Sequence, residues 1–400
     1  MGAGRRSRSR NIDALRAVAA LMVVCAHANY LNDATRAPSA EWRHYLWSGV
    51  NLFFVLSGYL IARPFVAALL ERSPLPRTGA FAIRRAFRIL PAYWLVLLAV
   101  LVLTPPVGLR LSDLAAHALL VHDVVPGDAY TIHSVAWTLG IEAMFYVAVP
   151  IAAHLVARRW PAITARRLVT LVLAVWVASA LFSLVVATFG EAWIGVARDL
   201  TVNDAGDRPP SILTLGLPAK LYLFCPGILV AVAERSGALR RGMSRLDGVP
   251  ALRVCTAGIG VAVALWLLGV AADGSGASSL GHALRDEVFG LGFGLLLVIA
   301  LWSPAWRSPP ARALAAIGVV SYGLYLWHPV TEELLRERHL VALPWAATCV
   351  VLALAGLVPA AVSWFAVERP ALARAAVLTA APAPRVARAA DTPVPAAARR

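Results

Sequence analysis

Charge is scarce in this chain and lysine is nearly missing: Lys220 stands alone beside 36 arginines, and charged residues make up 15% of the 400. Soluble domains carry about 25% charged residues, so a water-facing globular domain is excluded for most of the length. Cys25, Cys225, Cys255 and Cys349 are isolated, with no CxxC pair. This excludes a zinc ribbon or a disulfide framework, and lone thiols in apolar runs read as small packing residues. The nine histidines show no metal-ligand spacing, so no metal site is expected. What abounds is apolar: 60% of the residues are hydrophobic and the mean hydropathy is +0.70. A net charge of +15 would suggest nucleic acid in a soluble chain. Here the arginine-rich connections of a polytopic membrane protein account for it, and no nucleic-acid partner is expected.

The sequence predicts an all-α membrane protein of about ten spans, each near the roughly 20 residues that a bilayer needs. They fall at 12–30, 47–70, 89–104, 133–156, 168–189, 212–233, 250–271, 285–303, 313–331 and 342–366. The apolar segment Leu111–Val121 is too short to span and is expected at the interface or as a re-entrant piece. Arginines gather in alternate connections, such as Arg72 to Arg88, Arg158 to Arg167 and Arg235 to Arg245. By the positive-inside rule both termini are cytoplasmic, and the first span is an uncleaved helix in a multi-pass plasma (inner) membrane protein. Three regions result: a basic N-terminus at 1–10, a membrane domain at 11–370, and an Ala/Pro/Arg tail at 371–400 that is expected to be disordered.

The first span carries polar residues that a bilayer makes expensive: Asp13, Arg16 and His27. Arg16 and His27 are eleven residues apart. On a helix this sets them within about 20° of one face and about 16 Å apart along the axis. A cation near one mouth and an imidazole deeper on the same stripe suit a long ligand with an anionic end and a reactive end. Depth counting puts His27, Asn51, Glu142, Lys220 and His328 in the outer half. Arg16, Arg63, Arg84, Arg85 and Arg88 fall at the inner mouth, where Arg85 and Arg88 share a helix face at i,i+3. Each has a bland alternative. Inner arginines anchor spans, Arg16 can pair with Asp13, and His27 can be an interhelical hydrogen bonder. Glu142 and Lys220 can be mutual counter-ions, and His328 a helix cap. Taken together, His27 is expected to be catalytic, with Glu142 orienting its ring.

The motifs resemble the acyltransferase-three family of integral membrane acyltransferases, over about residues 11 to 371. Arg16 with His27 resembles its Arg-x10-His signature, and Gly49 to Leu60 its second-span motif. Arg85-Ala-Phe-Arg88 resembles its Arg-x-x-Arg. Trp137-Thr-Leu-Gly-Ile-Glu142-Ala-Met-Phe-Tyr146 is similar to its Trp-Ser-Leu-x-x-Glu-x-x-Phe-Tyr. Ser321 to Pro329, including His328, and Glu368-Arg-Pro370 resemble its closing motifs. Two positions depart: Asn51 stands where the family usually has Asp, and Thr138 where it has Ser. The resemblance implies a cytoplasmic acyl-CoA donor, acetyl-CoA above all, and no permanently bound cofactor. It implies arginines 16, 85 and 88 at the CoA end and an essential His27, either as base or as acyl carrier. Asp13, Asn51, Trp137, Lys220 and His328 are expected as substrate-contacting or supporting residues. The acceptor is expected to be a hydroxyl of a cell-envelope glycan, a lipid or a secreted metabolite such as a macrolide. The competing class is a transporter or flippase without acyl chemistry, which requires neither the Arg16/His27 stripe nor the inner arginine cluster.

Overall fold

The computed structural model describes residues 2–31, 38–124, 130–200, 211–246, 248–274, 279–304, 306–337 and 343–380. Among them there is no strand, and the chain is a bundle of helices. The first half holds α1 (Gly2–Leu31), α2 (Gly49–Glu71), α3 (Thr78–Leu103), α4 (Leu111–Ala118), α5 (Trp137–Arg159) and α6 (Ala165–Leu200). Four shorter pieces follow: α7 (Ser211–Thr214), α8 (Leu217–Lys220), α9 (Cys225–Arg235) and α10 (Ala238–Ser244). The last part is α11 (Ala251–Gly274), α12 (Ser279–Trp302), α13 (Pro309–Val319), α14 (Ser321–Glu337), α15 (Trp345–Ser363) and α16 (Arg369–Leu378).

Helix α1 lies at the centre, packed by α2, α12, α13, α14 and α15. Its sequence allows this because Ala17, Ala19, Ala20, Ala26 and Ala28 are small and buried, so neighbouring backbones approach closely. Asn11 ties the start of the span to the end of α12. Its Nδ2 donates to the Ala300 carbonyl at 3.0 Å and its Oδ1 accepts from the Trp306 N–H at 3.0 Å. Backbone groups freed at a helix end are thus satisfied by a side chain. Helices α2 and α9 meet at two glycines. A Cβ on Gly58 would strike the Phe224 carbonyl, and one on Gly227 the Val55 carbonyl. Alanine at either position would push these helices apart.

Seven helices among the described residues are long and apolar enough to cross a membrane, or nine if each of two bent pairs is one span. This is fewer than the ten expected. The pairs are Leu217–Leu223 with Cys225–Arg235, bent by 50°, and Pro309–Val319 with Ser321–Glu337, bent by 75°. The second break falls inside the span expected at 313–331. Ser321 Oγ donates to the Gly318 carbonyl at 2.8 Å, so the broken turn does not leave that acceptor unpaired. The span expected at 285–303 belongs to α12 and is not one of these helices, because Arg285, Asp286 and Glu287 set three charges together in its sequence. The third span is longer than expected: α3 starts at Thr78, so Arg84, Arg85 and Arg88 ride on the helix itself. Past residue 370 the helix continues to Leu378, because Ala-rich sequence propagates it; the expected disorder at 381–400 lies outside the described residues.

Candidate active site

His27 is 5% exposed and sits near the end of α1, where α14 runs alongside. Its Nδ1 faces Glu332 Oε2 at 2.6 Å. A carboxylate in contact with one ring nitrogen fixes the tautomer: Nδ1 carries the hydrogen, and Nε2 keeps its lone pair. Nε2 is buried and has no protein hydrogen-bond partner. Three rings hold the imidazole in place: Tyr30 at 5.6 Å, Trp47 at 4.8 Å and His328 at 4.5 Å between centroids. His328 is fully buried, and its Nδ1 lies 3.3 Å from the Leu324 carbonyl. That carbonyl only accepts, so His328 also presents an unprotonated Nε2. His27 lines an open cavity of about 600 Å³ with Tyr30, Trp47, Tyr130, Trp137 and the carboxylates Glu332 and Glu333.

A second cavity of about 130 Å³ is lined by Arg16, Arg85, Arg88, Glu142, Tyr146 and Tyr322, with Thr138 and Tyr325 also in its wall. Arginines from α1 and α3 converge there, as spacing along the two helices suggested. Arg85 lies over Phe81 and Tyr146 at 5.4 and 5.5 Å. Arg88 lies over Tyr322 at 5.5 Å and reaches Glu368 Oε2 at 3.5 Å. These aromatic faces hold the guanidinium planes in orientation without neutralising them. Ser57 Oγ donates to Glu142 Oε1 at 2.6 Å. Glu142 therefore belongs to the arginine cavity and not to His27, deeper than the outer-half level that depth counting gave it. The carboxylate on His27 is Glu332, which sequence reasoning missed. It stood one residue beyond the span drawn to 331, followed by Glu333 and Arg336, and so read as a water-facing end. A signal was present: Glu332 follows His328 at i+4, on the same helix face.

Asn51 and Lys220 line neither cavity. Asn51 Nδ2 donates to Asp286 Oδ1 at 3.3 Å and Tyr222 OH donates to Asp286 Oδ2 at 3.0 Å. Lys220 lies within electrostatic reach of Asp286, which replaces Glu142 as the counter-ion that its bland alternative named. These residues form a polar knot that joins α2, the α8–α9 bend and α12. Asp13 lies one turn from Arg16, with its backbone carbonyl against Gly318 of α13. Trp137 lines the histidine cavity at the head of α5. Among the described residues no three His, Cys, Asp or Glu side chains converge as metal ligands would.

Between α3 and α5 the chain buries a polar group that the sequence left unassigned: His117, His122, Asp123 and His133, all 2% exposed or less. His117 and His122 stack at 4.2 Å, and His122 Nε2 is 3.5 Å from Asp123 Oδ1. Asp123 presses on the first turn of α5, where any side chain at Gly140 would overlap its carboxylate. Burial pushes the Asp123 carboxyl up to about 8. Burial, with His117 alongside, pushes His122 down to about 4.

Residues 9–365 match the family described as an acyltransferase domain, the acyltransferase-three family. The chain belongs to that family. It is a multi-pass membrane acyltransferase, working between an acyl donor and a hydroxyl-bearing acceptor and moving groups other than aminoacyl groups. Both cavities lie within the matched residues. This acyltransferase is 30% identical over 165 residues to peptidoglycan O-acetyltransferase OatA of Listeria monocytogenes, covering 38% of the chain and 25% of OatA. The chain thus spans about a quarter of the length of that relative. It is 23% identical over 389 residues to Nodulation protein 10 of Rhizobium leguminosarum bv. viciae, covering 90% and 93% of the two chains. It is 27% identical over 344 residues to BcsY of Komagataeibacter xylinus, named as a membrane-bound transacylase, covering 81% and 72%. No solved structure matches it.

Proposed function

We propose that the protein is an O-acyltransferase of the plasma membrane that takes an acyl group, acetyl above all, from cytoplasmic acyl-CoA and esterifies a glycan hydroxyl on the far side. The observation that carries this reading is the His27–Glu332 pair at 2.6 Å in the wall of an aromatic cavity, with the buried Nε2 free of any protein hydrogen bond. The phosphates of CoA belong at the arginine cavity, where Arg16, Arg85 and Arg88 meet; guanidinium groups suit phosphate as fork donors. The pantetheine arm then runs along α1 and α14 and brings the thioester toward His27. The neutral His27 removes the acceptor proton at Nε2, the alkoxide adds to the thioester carbon, and the thiolate leaves with the bonding pair and takes the proton from the imidazolium. Glu332 holds the ring and stabilises its charged form, while general-base catalysis supplies about 10²–10⁴-fold.

A sugar suits the histidine cavity because Tyr30, Trp47, Tyr130 and Trp137 offer apolar ring faces and Glu332 and Glu333 accept hydroxyl hydrogens. The activity that OatA's name describes, O-acetylation of peptidoglycan, fits such a cavity. The test uses purified protein, acetyl-CoA and soluble peptidoglycan fragments. Ester formation that disappears in His27→Ala supports the reading. Thioester cleavage equal in wild type and His27→Ala overturns the role of His27, and no cleavage above a protein-free control in wild type favours transport without chemistry.

A further inference from the structure

Helix α14 carries a second stripe that runs from one cavity to the other. Tyr322 lines the arginine cavity and Glu332 the histidine cavity. Between them, at i+3 and i+6 from Tyr322, lie Tyr325 and His328. Tyr325 is 6% exposed. Its ring is 5.7 Å from that of His328, which is 4.5 Å from that of His27. It also borders the arginine cavity beside Thr138. The wall between the two cavities therefore presents a phenol hydroxyl on the path that a thioester would take.

The carbonyl that this hydroxyl serves has a second donor. Tyr325 OH reaches the Val135 carbonyl at 3.1 Å, and Thr138 Oγ1 reaches the same carbonyl at 3.1 Å. The two hydroxyl oxygens lie 2.9 Å apart. Two hydrogens thus serve one carbonyl, and either of them satisfies it. The Thr138 bond is local, i to i−3 at the head of α5, whereas Tyr325 arrives from α14. If Tyr325 turns its O–H toward another acceptor, Thr138 keeps the Val135 carbonyl paired and no buried group is orphaned.

We propose that Tyr325 donates the hydrogen bond that stabilises the oxyanion formed when the acceptor oxygen adds to the thioester carbonyl, a role that rests on the acyl-transfer reading above. When the C–O bond forms, the carbonyl π pair moves onto oxygen, and the Tyr325 O–H swaps the neutral Val135 carbonyl for this anion. A charge-assisted bond is stronger than the one it replaces, and the gain appears only in the transition state. Collapse restores the carbonyl, expels the thiolate, and returns the phenol hydrogen to Val135. The proton taken by His27 goes to sulfur, and Tyr325 ends each turnover unchanged.

Release of CoA from acetyl-CoA, with peptidoglycan fragments or water as acceptor, tests this in wild type, His27→Ala, Tyr325→Phe and Thr138→Val, together with acetyl-CoA binding. Tyr325→Phe lowers kcat by about 10²–10³-fold and leaves acetyl-CoA affinity near that of wild type. Thr138→Val leaves the Val135 carbonyl without a partner once Tyr325 turns, so it also lowers kcat, by about tenfold and less than Tyr325→Phe. A Tyr325→Phe enzyme with wild-type turnover overturns the proposal. So does one that no longer binds acetyl-CoA, and so does a Thr138→Val enzyme that falls as far as Tyr325→Phe, because the pair is then a structural latch. If wild type releases no CoA above a protein-free control, acyl transfer itself fails and Tyr325 has no reaction to serve.

Discussion

The two cavities share three helices, yet their chemistry is opposite. Helix α1 gives Arg16 to one and His27 to the other; α5 gives Glu142 and Tyr146 to one and Trp137 to the other; α14 gives Tyr322 and then Glu332. The arginine cavity is small, about 130 Å³, with guanidinium groups stacked on rings. The histidine cavity is about 600 Å³, more open and rimmed by aromatic side chains. A tight cationic pocket selects charge, and a wide aromatic one selects shape with a few hydroxyl contacts. The proposed reaction, between an anionic nucleotide-tailed donor and a polyhydroxylated acceptor, uses both.

The contrast predicts that substitutions at the two ends fail differently. The largest effect falls at the histidine end. Substitution of His27 by alanine lowers kcat by about 10²–10⁴-fold with acyl-CoA binding retained, measured as CoA release and equilibrium binding on the same preparation. Glu332→Gln comes next, at about 10²-fold or more in kcat, because an amide holds the ring without stabilising the imidazolium. At the arginine end the loss moves to KM. Arg88→Gln and Arg85→Gln each raise KM for acetyl-CoA by about tenfold or more, as one charge-assisted hydrogen bond is worth about 1.5–3 kcal/mol, while kcat at saturation holds. A kcat loss at Arg88 equal to that at His27 would erase the distinction between the ends.

How much of this was legible in the sequence follows from what each residue signals by itself. Arg16 and His27 stood out as polar residues inside one apolar span, and Arg85 and Arg88 as an i,i+3 pair at the mouth of another; all four line the two cavities. Glu142 stood out equally, but counting from a span end misjudged its depth: it lines the arginine cavity, and its partner is Ser57. Glu332 was hidden by its own neighbourhood, since two glutamates and an arginine at a span end look like a solvated cap. The break between α13 and α14 had no proline at the joint to announce it; the hydroxyl of Ser321 makes it tolerable. The fold class needed only hydropathy, whereas the site needed the angle at which α14 leaves α13.

The smallest effect concerns neither cavity but the support behind α5. Asp123 is fully buried with its carboxyl raised to about 8 from an ordinary 3.8. The folded state therefore binds this proton more tightly than the unfolded state. Its contribution to stability is full below the ordinary carboxyl value and is lost as pH rises to about 8. His122, held down at about 4, works the other way and costs stability as pH falls below its ordinary 6.5. Asp123→Asn carries no ionisable group, so its melting temperature gains on that of wild type as pH goes from 5 to 8. A difference that stays flat across that range would show Asp123 to be ionised throughout.

The central claim is that the donor is gripped at the arginines and used at His27. Acetyl-CoA binding and CoA release, measured side by side on His27→Ala in detergent after its folding has been verified, test it most directly. The account predicts binding close to wild type with turnover lost. Undiminished release of CoA from that variant would contradict it.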